Sequence, residues 1–253
     1  MADIRQCVIL AAGNGRRIAS VSGNDPKPLV MLRGMPLLEH VLASAHEAGI
    51  ERFFVVIGYR GDRIRRWFDS AGFDNVDVTW IENIHYQRSN GVSLLKARDF
   101  LRDPFLLLMS DHLFEPQTAK LLLDRPVSSE EVLLAVDRKI HSAFDLEDAT
   151  KVRLEGEHIV DIGKWIPRYD ALDTGMFLCG PAIFDNLESA KVNGDCSLSD
   201  GVRKLGRARK FRAFDIGPAH WQDVDTPETL AYAEAVFDEH FHDNPSGRRF
   251  ARV

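Results

Sequence analysis

Apolar runs alternate with amphipathic stretches through the first half of the chain. The apolar runs predict five strands, which are Gln6–Leu10, Arg52–Ile57, Val76–Ile81, Phe105–Met109 and Val132–Val136. The stretches between them predict four helices, which are Pro36–Ala48, Asp62–Ser70, Ser93–Leu101 and Pro116–Leu123. Strands that alternate with helices of this length indicate βαβ units and a mostly parallel sheet. Residues 105–109 are apolar at every position, which is typical of a central strand covered on both faces.

The pattern changes after Asp137. Residues Lys151–Gly163 predict two short strands around a Glu-Gly-Glu turn, which is typical of a hairpin and not of a crossover. The rest of the chain predicts two strands and three helices, which are Leu172–Leu178, Phe211–Ile216, Ile183–Ala190, Leu198–Leu205 and a last helix from Pro227 to about His240. Neither a repeat nor a dividing linker interrupts the pattern, so we expect one α/β domain over residues 1–240 and a polar, frayed tail over 241–253.

The composition is that of an ordinary globular protein, with 253 residues of which 45% are hydrophobic and 28% charged. A formal net charge of −6 argues against a partner that is a nucleic acid, and the local group Arg63, Arg65 and Arg66 is explained by the solvated face of a helix. Because the chain enters a strand at once, we expect no signal peptide, and no apolar run approaches the roughly 20 residues of a membrane span. We therefore expect a cytoplasmic protein.

The three cysteines, Cys7, Cys179 and Cys196, do not have the spacing of a metal site. Cys7 and Cys179 each lie in an apolar run, so we expect both to be buried as small hydrophobic residues. Nothing in this pattern indicates an oxidising compartment.

The segment VILAAGNGRRI, residues 8–18, is a strand that runs into a glycine-rich turn, a common place for phosphate binding. A dinucleotide site needs a third glycine, a helix after the turn and an acid at the end of the second strand. Here Ile18 replaces the third glycine, the second strand ends in VVIGY, and residues 19–28 carry two prolines and no apolar period. The kinase-type motif G-x-x-x-x-G-K-[ST] is also absent. Both common phosphate-binding loops are therefore disfavoured.

Lys27 follows this turn and lies between Pro26 and Pro28, which exclude it from a helix and fix its backbone. Backbone N–H groups of such a turn can surround a polyphosphate, while Ala11 and Ala12 leave room for a flat base. A lysine held in this way is a positioned point charge. An ordinary turn with a solvated lysine explains this segment equally well when it is taken alone.

Together, LAAGNGRR and PKPLV resemble the signature L-A-A-G-x-G-x-R…P-K-P-L of nucleoside-triphosphate-dependent nucleotidyltransferases. The resemblance continues in order over most of the chain, in VVIGYRGDRI, SNGVSLLKA, LLLMSDH, DIGKWIPRYDALDTGMF and HWQDVDTPETL. These enzymes transfer NMP from NTP to a phosphorylated alcohol or sugar and release pyrophosphate. Within the family, NGVSLLKA, MSDH, ALDTGMF and LSDGVRKL are most similar to inositol-1-phosphate cytidylyltransferases, with phosphocholine and phosphonate cytidylyltransferases as near relatives.

The resemblance implies a Rossmann-like, three-layer α/β/α nucleotidyltransferase domain with a mostly parallel central sheet and a small inserted acceptor-binding lobe. Residues 1–136 would mainly bind the nucleotide, and residues 137–240 would mainly bind the acceptor. The implied partners are CTP, or another NTP, and a phosphorylated small alcohol, which would be joined as a CDP-alcohol such as CDP-inositol. Mg²⁺ is the implied cofactor, and a homodimer is left open.

The implied reaction needs cations more than it needs a base. A phosphate monoester has a second pKa of about 6, so the attacking oxygen is already ionised at neutral pH. Catalysis then rests on holding two anions in line and neutralising their charge. By resemblance, Lys27 meets the α-phosphate and Arg17 the departing β- and γ-phosphates, with Arg16 as the neighbour of Arg17. Arg17, Lys27 and Asp111 are the expected catalytic residues.

Acids for Mg²⁺ are expected at Asp111 and near the C-terminal helix. Asp111 comes directly after a central strand, at the sheet edge where ligands collect, and Mg²⁺ prefers oxygen ligands. Asp223 and Asp225 are spaced so that both lie on one side of an extended segment. The resemblance favours Asp225 as the ligand, although Asp225-Thr226-Pro227 is also a good helix start. His112 is interpreted as a supporting or acceptor-facing residue.

The resemblance places the nucleotide on the glycine-rich turn and on the SNGVS segment. Gly91 would allow close approach to a flat ring and Ser93 would bond the edge of the base, although Ser89-Asn90-Gly91 also fits a turn that caps a helix. The expected nucleotide-binding residues are Leu10, Ala11, Ala12, Gly13, Asn14, Gly15, Arg16, Arg17, Lys27, Asn90, Gly91 and Ser93.

For the acceptor, the resemblance assigns Lys164 to the acceptor phosphate and the ALDTG segment to its hydroxyls. The expected acceptor-binding residues are His112, Lys164, Asp173, Thr174 and Gly175. An ordinary turn is the competing interpretation of Asp173-Thr174-Gly175, but apolar flanks on both sides favour a site within a strand. Trp165 and Tyr169 fit either the wall of the pocket or the core, and as a wall they would suit phosphocholine.

Two alternatives remain open at this stage. The first is the same transfer to phosphocholine, a phosphonate or a sugar-1-phosphate, or from another NTP. The second is a catalytically inactive relative that acts as a sensor or scaffold, which would tolerate the loss of Lys27, Asp111 or Asp225, whereas all three are present here.

Overall fold

The computed structural model describes residues 4–23, 25–73 and 76–241. Within these ranges the strands are β1 (Gln6–Ala11), β2 (Met31–Leu32), β3 (Met35–Pro36), β4 (Arg52–Ile57), β5 (Asp77–Glu82), β6 (Phe105–Met109), β7 (His112–Phe114), β8 (Val132–Asp137), β9 (Lys151–Glu155), β10 (His158–Gly163), β11 (Ala171–Cys179), β12 (Phe211–Asp215) and β13 (Trp221–Asp223). The α-helices are α1 (Ala19–Ser22), α2 (Leu37–Glu47), α3 (Gly61–Ala71), α4 (Asn90–Leu95), α5 (Pro116–Leu123), α6 (Ala182–Ala190), α7 (Leu198–Arg207) and α8 (Pro227–His240).

Nine of these strands form one sheet, in the order β5-β4-β1-β6-β11-β8-β12-β10-β9. The pairs β5–β4, β4–β1, β1–β6 and β8–β12 are parallel. β11 runs antiparallel to β6 and β8, and β10 runs antiparallel to β12 and β9. Seven of the nine strands therefore point in one direction, and the prediction of a mostly parallel sheet is confirmed.

Helices cover both faces of the sheet, as the expected three-layer arrangement requires. Along β1, Val8 and Leu10 pack into one core while Cys7 and Ile9 pack into the other, because successive side chains of a strand alternate between faces. The first core also holds the apolar sides of α4, α6 and α7, and the second holds those of α2, α3 and α5. The α/β/α fold class is thus confirmed.

A third, smaller core lies beside the sheet. Ile18 after the glycine-rich turn, Val30 and Leu32 around β2, Leu113 in β7 and Val224 after β13 pack together there. This cluster joins the start of the chain to its end, and it fixes the segments that carry the candidate site.

Most predicted elements lie within a residue or two of their observed bounds, including the hairpin β9–β10. The predicted helix Ser93–Leu101 is wrong at both ends. The helix α4 begins at Asn90, after Ser89 takes an extended backbone and its N–H donates to Asp195 at 2.9 Å. The helix ends at Leu95, and the Ala97 N–H donates to the Leu94 carbonyl, three residues back. A separate 3-10 turn follows at Arg98–Phe100.

The stretch after the glycine-rich turn forms a 3-10 turn, Arg16–Ile18, and then the four-residue α1, which ends at Gly23. No long helix follows the turn among the described residues. The hairpin β9–β10, which corresponds to the predicted lobe, pairs with β12 and β11 at the end of the sheet. Residues 242–253, most of the predicted tail, lie outside the described residues.

Cys7, Cys179 and Cys196 are buried, as expected for the first two. Burial raises the pKa of the Cys7 and Cys179 thiols. Within the described ranges, none of the helices is both long enough and apolar enough to cross a membrane.

Candidate functional site

The carboxyl ends of β1 and β6 border a cleft of about 350 Å³. Ligands of open α/β sheets collect at such an edge. Many predicted site residues line the cleft, and they are Leu10, Ala12, Gly13, Arg17, Lys27, Asn90, Ser93, Asp111, His112, Lys164, Asp173, Gly175, Asp223 and Asp225. The fold therefore brings together side chains from both halves of the chain.

The glycine-rich turn is shaped by its approach to Lys27. Gly15 has a left-handed backbone with a φ of 58°, and a Cβ at this position would lie 2.6 Å from the Cβ of Lys27. Only glycine allows this conformation and this contact together. Ile18 is fully buried in the third core, against Val30 and Val224. The residue that replaces the third glycine of a dinucleotide site is therefore an anchor for the turn.

Lys27 is an enclosed cation, with a side chain that is 9% exposed. It begins a 3-10 turn, Lys27–Leu29, and its Nζ donates to the carboxylates of Asp111 and Asp225. Burial alone would lower the pKa of Lys27, but the two carboxylates outweigh burial and raise it. The ammonium therefore stays charged at neutral pH, and the alternative of a solvated lysine is wrong.

Asp111 lies two residues beyond β6 and has two cationic neighbours. The first is Lys27, and the second is His112, whose Nδ1 lies 2.8 Å from Oδ1 of Asp111. Burial would raise the pKa of the Asp111 carboxyl, but the two cations hold that pKa well below its usual range. Burial would likewise lower the pKa of His112, but Asp111 raises it to about 9. Both groups are thus ionised at neutral pH, with His112 supporting Asp111.

A two-stranded sheet explains why Asp111 and Asp225 meet. The short strands β7 and β13 pair antiparallel with His112 opposite Asp223. The N–H of Val224 then donates to the Asp111 carbonyl at 2.9 Å. This pairing carries the segment 223–225 to the edge of the main sheet, so both candidate metal-binding segments face one cleft.

Asp223 lies beside the same group of charges but has a different environment. Its Oδ1 accepts from the Gln222 side chain at 3.2 Å. Burial raises the pKa of the Asp223 carboxyl, and the carboxylates of Asp225 and Asp111 raise it further, whereas His112 opposes them. Without a further cation nearby, this environment therefore disfavours the ionised form of Asp223.

Arg17 and Lys164 meet on Asp148, a residue that the sequence did not indicate. The Asp148 carboxylate accepts from Arg17 Nη1 and from Lys164 Nζ. Arg17 also donates through Nη2 to Asp225 Oδ2 at 2.6 Å. The two cations predicted to face different phosphates are thus neighbours in one chain of alternating charges.

The Asp173-Thr174-Gly175 segment lies within β11, where the register against β8 shifts. Gly175 has a φ of 75°, and a Cβ there would lie 2.5 Å from Cδ2 of His112. The Gly175 N–H donates to Asp173 Oδ1 at 2.8 Å, and burial raises the pKa of Asp173 to about 6. The expectation that Thr174 binds the acceptor substrate is corrected. Its buried hydroxyl donates to the Ala135 carbonyl at 2.8 Å, so this hydroxyl serves the sheet.

Ser93 is buried and lines the cleft. Its Oγ accepts from Asn83 Nδ2 at 2.9 Å, and Asn83 Oδ1 in turn accepts from the His85 N–H at 2.9 Å. The Asn83 amide is therefore fixed in orientation by two partners, which leaves the Ser93 hydroxyl proton available as a donor.

Asn90 and Gly91 both contact neighbouring parts of the chain. Asn90 Oδ1 accepts from the Leu198 N–H at 2.8 Å, which ties α4 to the start of α7. A Cβ on Gly91 would lie 2.7 Å from the Cys196 carbonyl oxygen and 2.9 Å from a Leu187 methyl group. The close approach that requires glycine is thus to this neighbouring backbone, and the expectation that Gly91 makes room for a flat ring is corrected.

Other residues singled out in the sequence do not line the cleft. Ala11 is buried in the second core, Arg16 is exposed on the 3-10 turn, and the Trp165 side chain is 87% exposed. Asn14 and Gly15 belong to the turn behind Lys27. The interpretation of Trp165 as a wall of the pocket, or as core, is therefore wrong.

The sequence missed several residues that line the cleft, which are Tyr86, Arg88, Asp148, Ser199 and Trp221. Trp221 stacks on His112 with ring centroids 6.1 Å apart. It lies in the HWQDVDTPETL segment, so its place beside a candidate metal-binding acid was the available signal. Asp148 lies in a polar connection without periodicity, which carries no such signal.

The carboxylates fit a hard divalent cation. Asp111 and Asp225 approach closely enough to share one ammonium, and Mg²⁺ is commonly held by one or two carboxylates together with substrate phosphates and water. Within the described part of the chain, no group of three or more His, Cys, Asp or Glu side chains is already arranged around a metal position. Asp111 and Asp225 would hold the ion, with Asp223 beside them.

Comparison with known proteins identifies the family. A model of the MobA-like NTP transferase domain matches residues 7–208. The chain belongs to this family. The membership of a nucleotidyltransferase family that the motifs implied is therefore confirmed.

Two curated relatives of this MobA-like NTP transferase are each named bifunctional IPC transferase and DIPP synthase. The one from Rubrobacter xylanophilus is 36% identical over 230 residues, which cover 90% of this chain and 51% of the relative. The one from Thermococcus kodakarensis is 34% identical over 235 residues, covering 91% and 50%. The chain thus spans about half the length of the curated relatives it matches.

Solved structures agree with the family. The inositol-1-phosphate CTP transferase from T. maritima superposes with a TM-score of 0.79 at 27% identity, over 94% of this chain and 98% of that one. A UDP-glucose pyrophosphorylase complexed with UDP-glucose superposes with a TM-score of 0.77 at 18% identity, over 93% and 99%. The second likeness shows the shared fold alone.

Proposed function

We propose that this MobA-like NTP transferase moves CMP from CTP to inositol-1-phosphate, with Mg²⁺, and releases pyrophosphate and CDP-inositol. The observation that carries the proposal is the convergence of Arg17, Lys27 and Lys164 on one cleft beside Asp111 and Asp225. The choice of CTP and inositol-1-phosphate is supported by the motifs of the chain and by the name of the T. maritima relative.

The proposed step exchanges one P–O bond for another. An oxygen of the acceptor phosphate attacks the α-phosphorus of CTP, and the bond from that phosphorus to the oxygen bridging to the β-phosphate breaks. Pyrophosphate leaves with the bonding electrons. The attacking oxygen is ionised at neutral pH because the second pKa of a phosphate monoester is about 6, so the protein has no proton to remove.

The cations divide the charge of this step among them. Lys27, held in place by two carboxylates, stabilises the charge at the α-phosphate. Arg17 binds the leaving pyrophosphate, and Lys164 binds the acceptor phosphate. Interactions of this kind accelerate a reaction when they strengthen in the transition state.

The carboxylates of Asp111 and Asp225 are the proposed ligands of Mg²⁺. When bound, Mg²⁺ would neutralise phosphate charge next to the reacting centre. Asp173 accepts hydrogen bonds from acceptor hydroxyls when it is ionised, and the bulge at Gly175 brings it to the cleft.

Phosphocholine is a less favoured acceptor. A quaternary ammonium is bound by a cage of aromatic rings, and the ring expected to form one, Trp165, is 87% exposed and does not line the cleft, although Tyr86 and Trp221 do. A phosphonate or a sugar-1-phosphate differs mainly in the hydroxyls and the charge that it presents, so these acceptors belong in the same assay.

The test is pyrophosphate release with Mg²⁺, over a panel of five nucleoside triphosphates and four acceptors: inositol-1-phosphate, phosphocholine, 2-aminoethylphosphonate and glucose-1-phosphate. We expect CTP with inositol-1-phosphate to have the highest kcat/KM. A different best pair would replace the proposed substrates. The absence of turnover with every pair would refute the proposed transferase activity. Asp111→Ala should abolish turnover and keep the fold, whereas Asp69→Ala, an exposed acid on α3, should keep both.

A further inference from the structure

Asp148 binds the two cations that the proposed function assigns to two different phosphates. Its carboxylate accepts from Arg17 Nη1 and from Lys164 Nζ, and all three side chains line the cleft. None of the proposed chemical steps uses this carboxylate. Because the Asp148 carboxylate pairs with the two cations proposed to bind phosphates, it competes with the substrates for them.

The segment that carries Asp148 is fastened outside the cleft. It belongs to the connection between β8 and β9, where the ring of Phe144 stacks on Tyr232 of α8 with centroids 4.2 Å apart. The Asp148 N–H donates to Asp145 Oδ1 at 3.3 Å, and the Ala149 N–H donates to the Asp145 carbonyl at 3.0 Å. This turn holds the segment in place, and the Asp148 side chain extends from it to the two cations in the cleft.

The ion pairs of Asp148 are accessible to dissolved anions. The side chains of Arg17 and Lys164 are 50% and 41% exposed, and that of Asp148 is 30% exposed. Exposed pairs are weak because water screens them and the long side chains lose freedom. The pairs of Lys27, whose side chain is 9% exposed, are enclosed by comparison. The Asp148 pairs are therefore the ones in this group that an incoming phosphate exchanges most easily.

We propose that Asp148 is a tethered competitor for the phosphate sites, which holds Arg17 and Lys164 in the free protein and is displaced when phosphate groups bind. The inference rests on the proposed function, because that function assigns phosphates to these two cations. A phosphate offers three acceptor oxygens and a charge nearer to two, so it outcompetes a single carboxylate. Asp148 keeps the cations ordered and paired between turnovers, and it weakens the retention of the product pyrophosphate.

The probe is inorganic pyrophosphate, titrated into the full chain by calorimetry in the presence of Mg²⁺. Asp148→Asn and Asp148→Ser should bind pyrophosphate about 3-fold to 30-fold more tightly than the parent chain, because two exposed ion pairs no longer compete. In turnover, both variants should show stronger inhibition by pyrophosphate and a lower KM for the triphosphate, without a higher kcat. Glu147→Gln is the matched control, since it removes an exposed charge one residue away, and its affinity should stay within about 2-fold.

A residue that merely positions the cations would give the opposite sign. If both Asp148 variants bind pyrophosphate equally or more weakly while their melting temperatures stay within a few degrees of the parent, the competitor role is refuted. An equal gain in Glu147→Gln would also refute it, since net charge alone would then explain the effect.

Failure of the proposed function is distinguishable. Pyrophosphate binding that tightens in the Asp148 variants, with no turnover for any substrate pair, would reject the reaction and retain the competitor. Turnover of CTP with inositol-1-phosphate, with pyrophosphate affinity unchanged in the Asp148 variants, would retain the reaction and reject the competitor role. Absence of pyrophosphate binding in every protein would reject the competitor role.

Discussion

The Nζ of Lys27 donates to the carboxylate of Asp111, although 84 residues separate them. The same ammonium donates to Asp225, so one enclosed cation links the first, the middle and the last part of the chain. His112 and Arg17 are the other cations of the two carboxylates. The charges are thus nearly balanced before any substrate arrives, and a nucleotide with its metal must rearrange them.

Lys27→Met should lower kcat by about 100-fold or more, because it removes a cation at the proposed reacting centre. The fold should persist, with the free energy of unfolding lowered by about 1–2 kcal/mol, because Asp111 remains paired with His112 and Asp225 remains paired with Arg17. Steady-state kinetics and urea unfolding measure the two effects. Lys120→Met, on the exposed side of α5, is the control and should change neither. Full activity of Lys27→Met would remove Lys27 from the mechanism.

Removal of Mg²⁺ with a chelator should abolish turnover, and added Mg²⁺ should restore it. Asp225→Asn should raise the Mg²⁺ concentration for half-maximal rate by about 10-fold or more. Mg²⁺ is held by only one or two carboxylates, so the loss of one weakens its binding strongly. Asp185→Asn, which changes a surface pair with Arg98, should leave that concentration unchanged. Equal behaviour of the two variants would argue against Asp225 as a ligand.

Gly175→Ala should reduce kcat/KM by about 10-fold or more. The left-handed backbone at a φ of 75° costs any other residue energy, and the new methyl group would lie 2.5 Å from Cδ2 of His112. Gly156→Ala separates these effects, since Gly156 has a φ of 64° but open space around it. Both variants should lose about 1 kcal/mol of stability, and Gly175→Ala more, but only Gly175→Ala should lose activity.

Asp173 should make the free energy of unfolding depend on pH. Burial raises its pKa from 3.8 to about 6, so the folded protein holds the proton more tightly than the unfolded chain does. The stabilisation is complete below the unfolded pKa and is lost as the pH rises through about 6. Two pKa units correspond to almost 3 kcal/mol, and partial access from the cleft reduces this to about 1–2 kcal/mol.

Asp173→Asn removes this titration. The stability of Asp173→Asn relative to the parent should therefore increase by about 1–2 kcal/mol between pH 4 and pH 7, in urea unfolding without Mg²⁺. A difference that stays constant with pH would show that the Asp173 carboxyl has an ordinary pKa in the folded protein.

The sequence predicted the main sheet well because long periodic runs carried the information, and its motifs indicated three cations, Arg17, Lys27 and Lys164, that line the cleft. It missed β7 and β13, since three-residue strands have no period, and these strands are what bring Asp111 and Asp225 together. Thr174 and Gly91 were misassigned for a related reason. A motif tells which residue types are present, whereas only the packed structure shows that the Thr174 hydroxyl binds Ala135 and that Gly91 makes room for the backbone at Cys196.

The most direct test of the central claim is a ³¹P NMR spectrum of CTP and inositol-1-phosphate incubated with the protein and Mg²⁺. We expect the triphosphate and monoester signals to fall together while pyrophosphate and the paired signals of a CDP-alcohol appear, and we expect Lys27→Met to leave the starting signals unchanged. Loss of CTP to CDP and phosphate, or a spectrum that does not change with the parent protein, would contradict it.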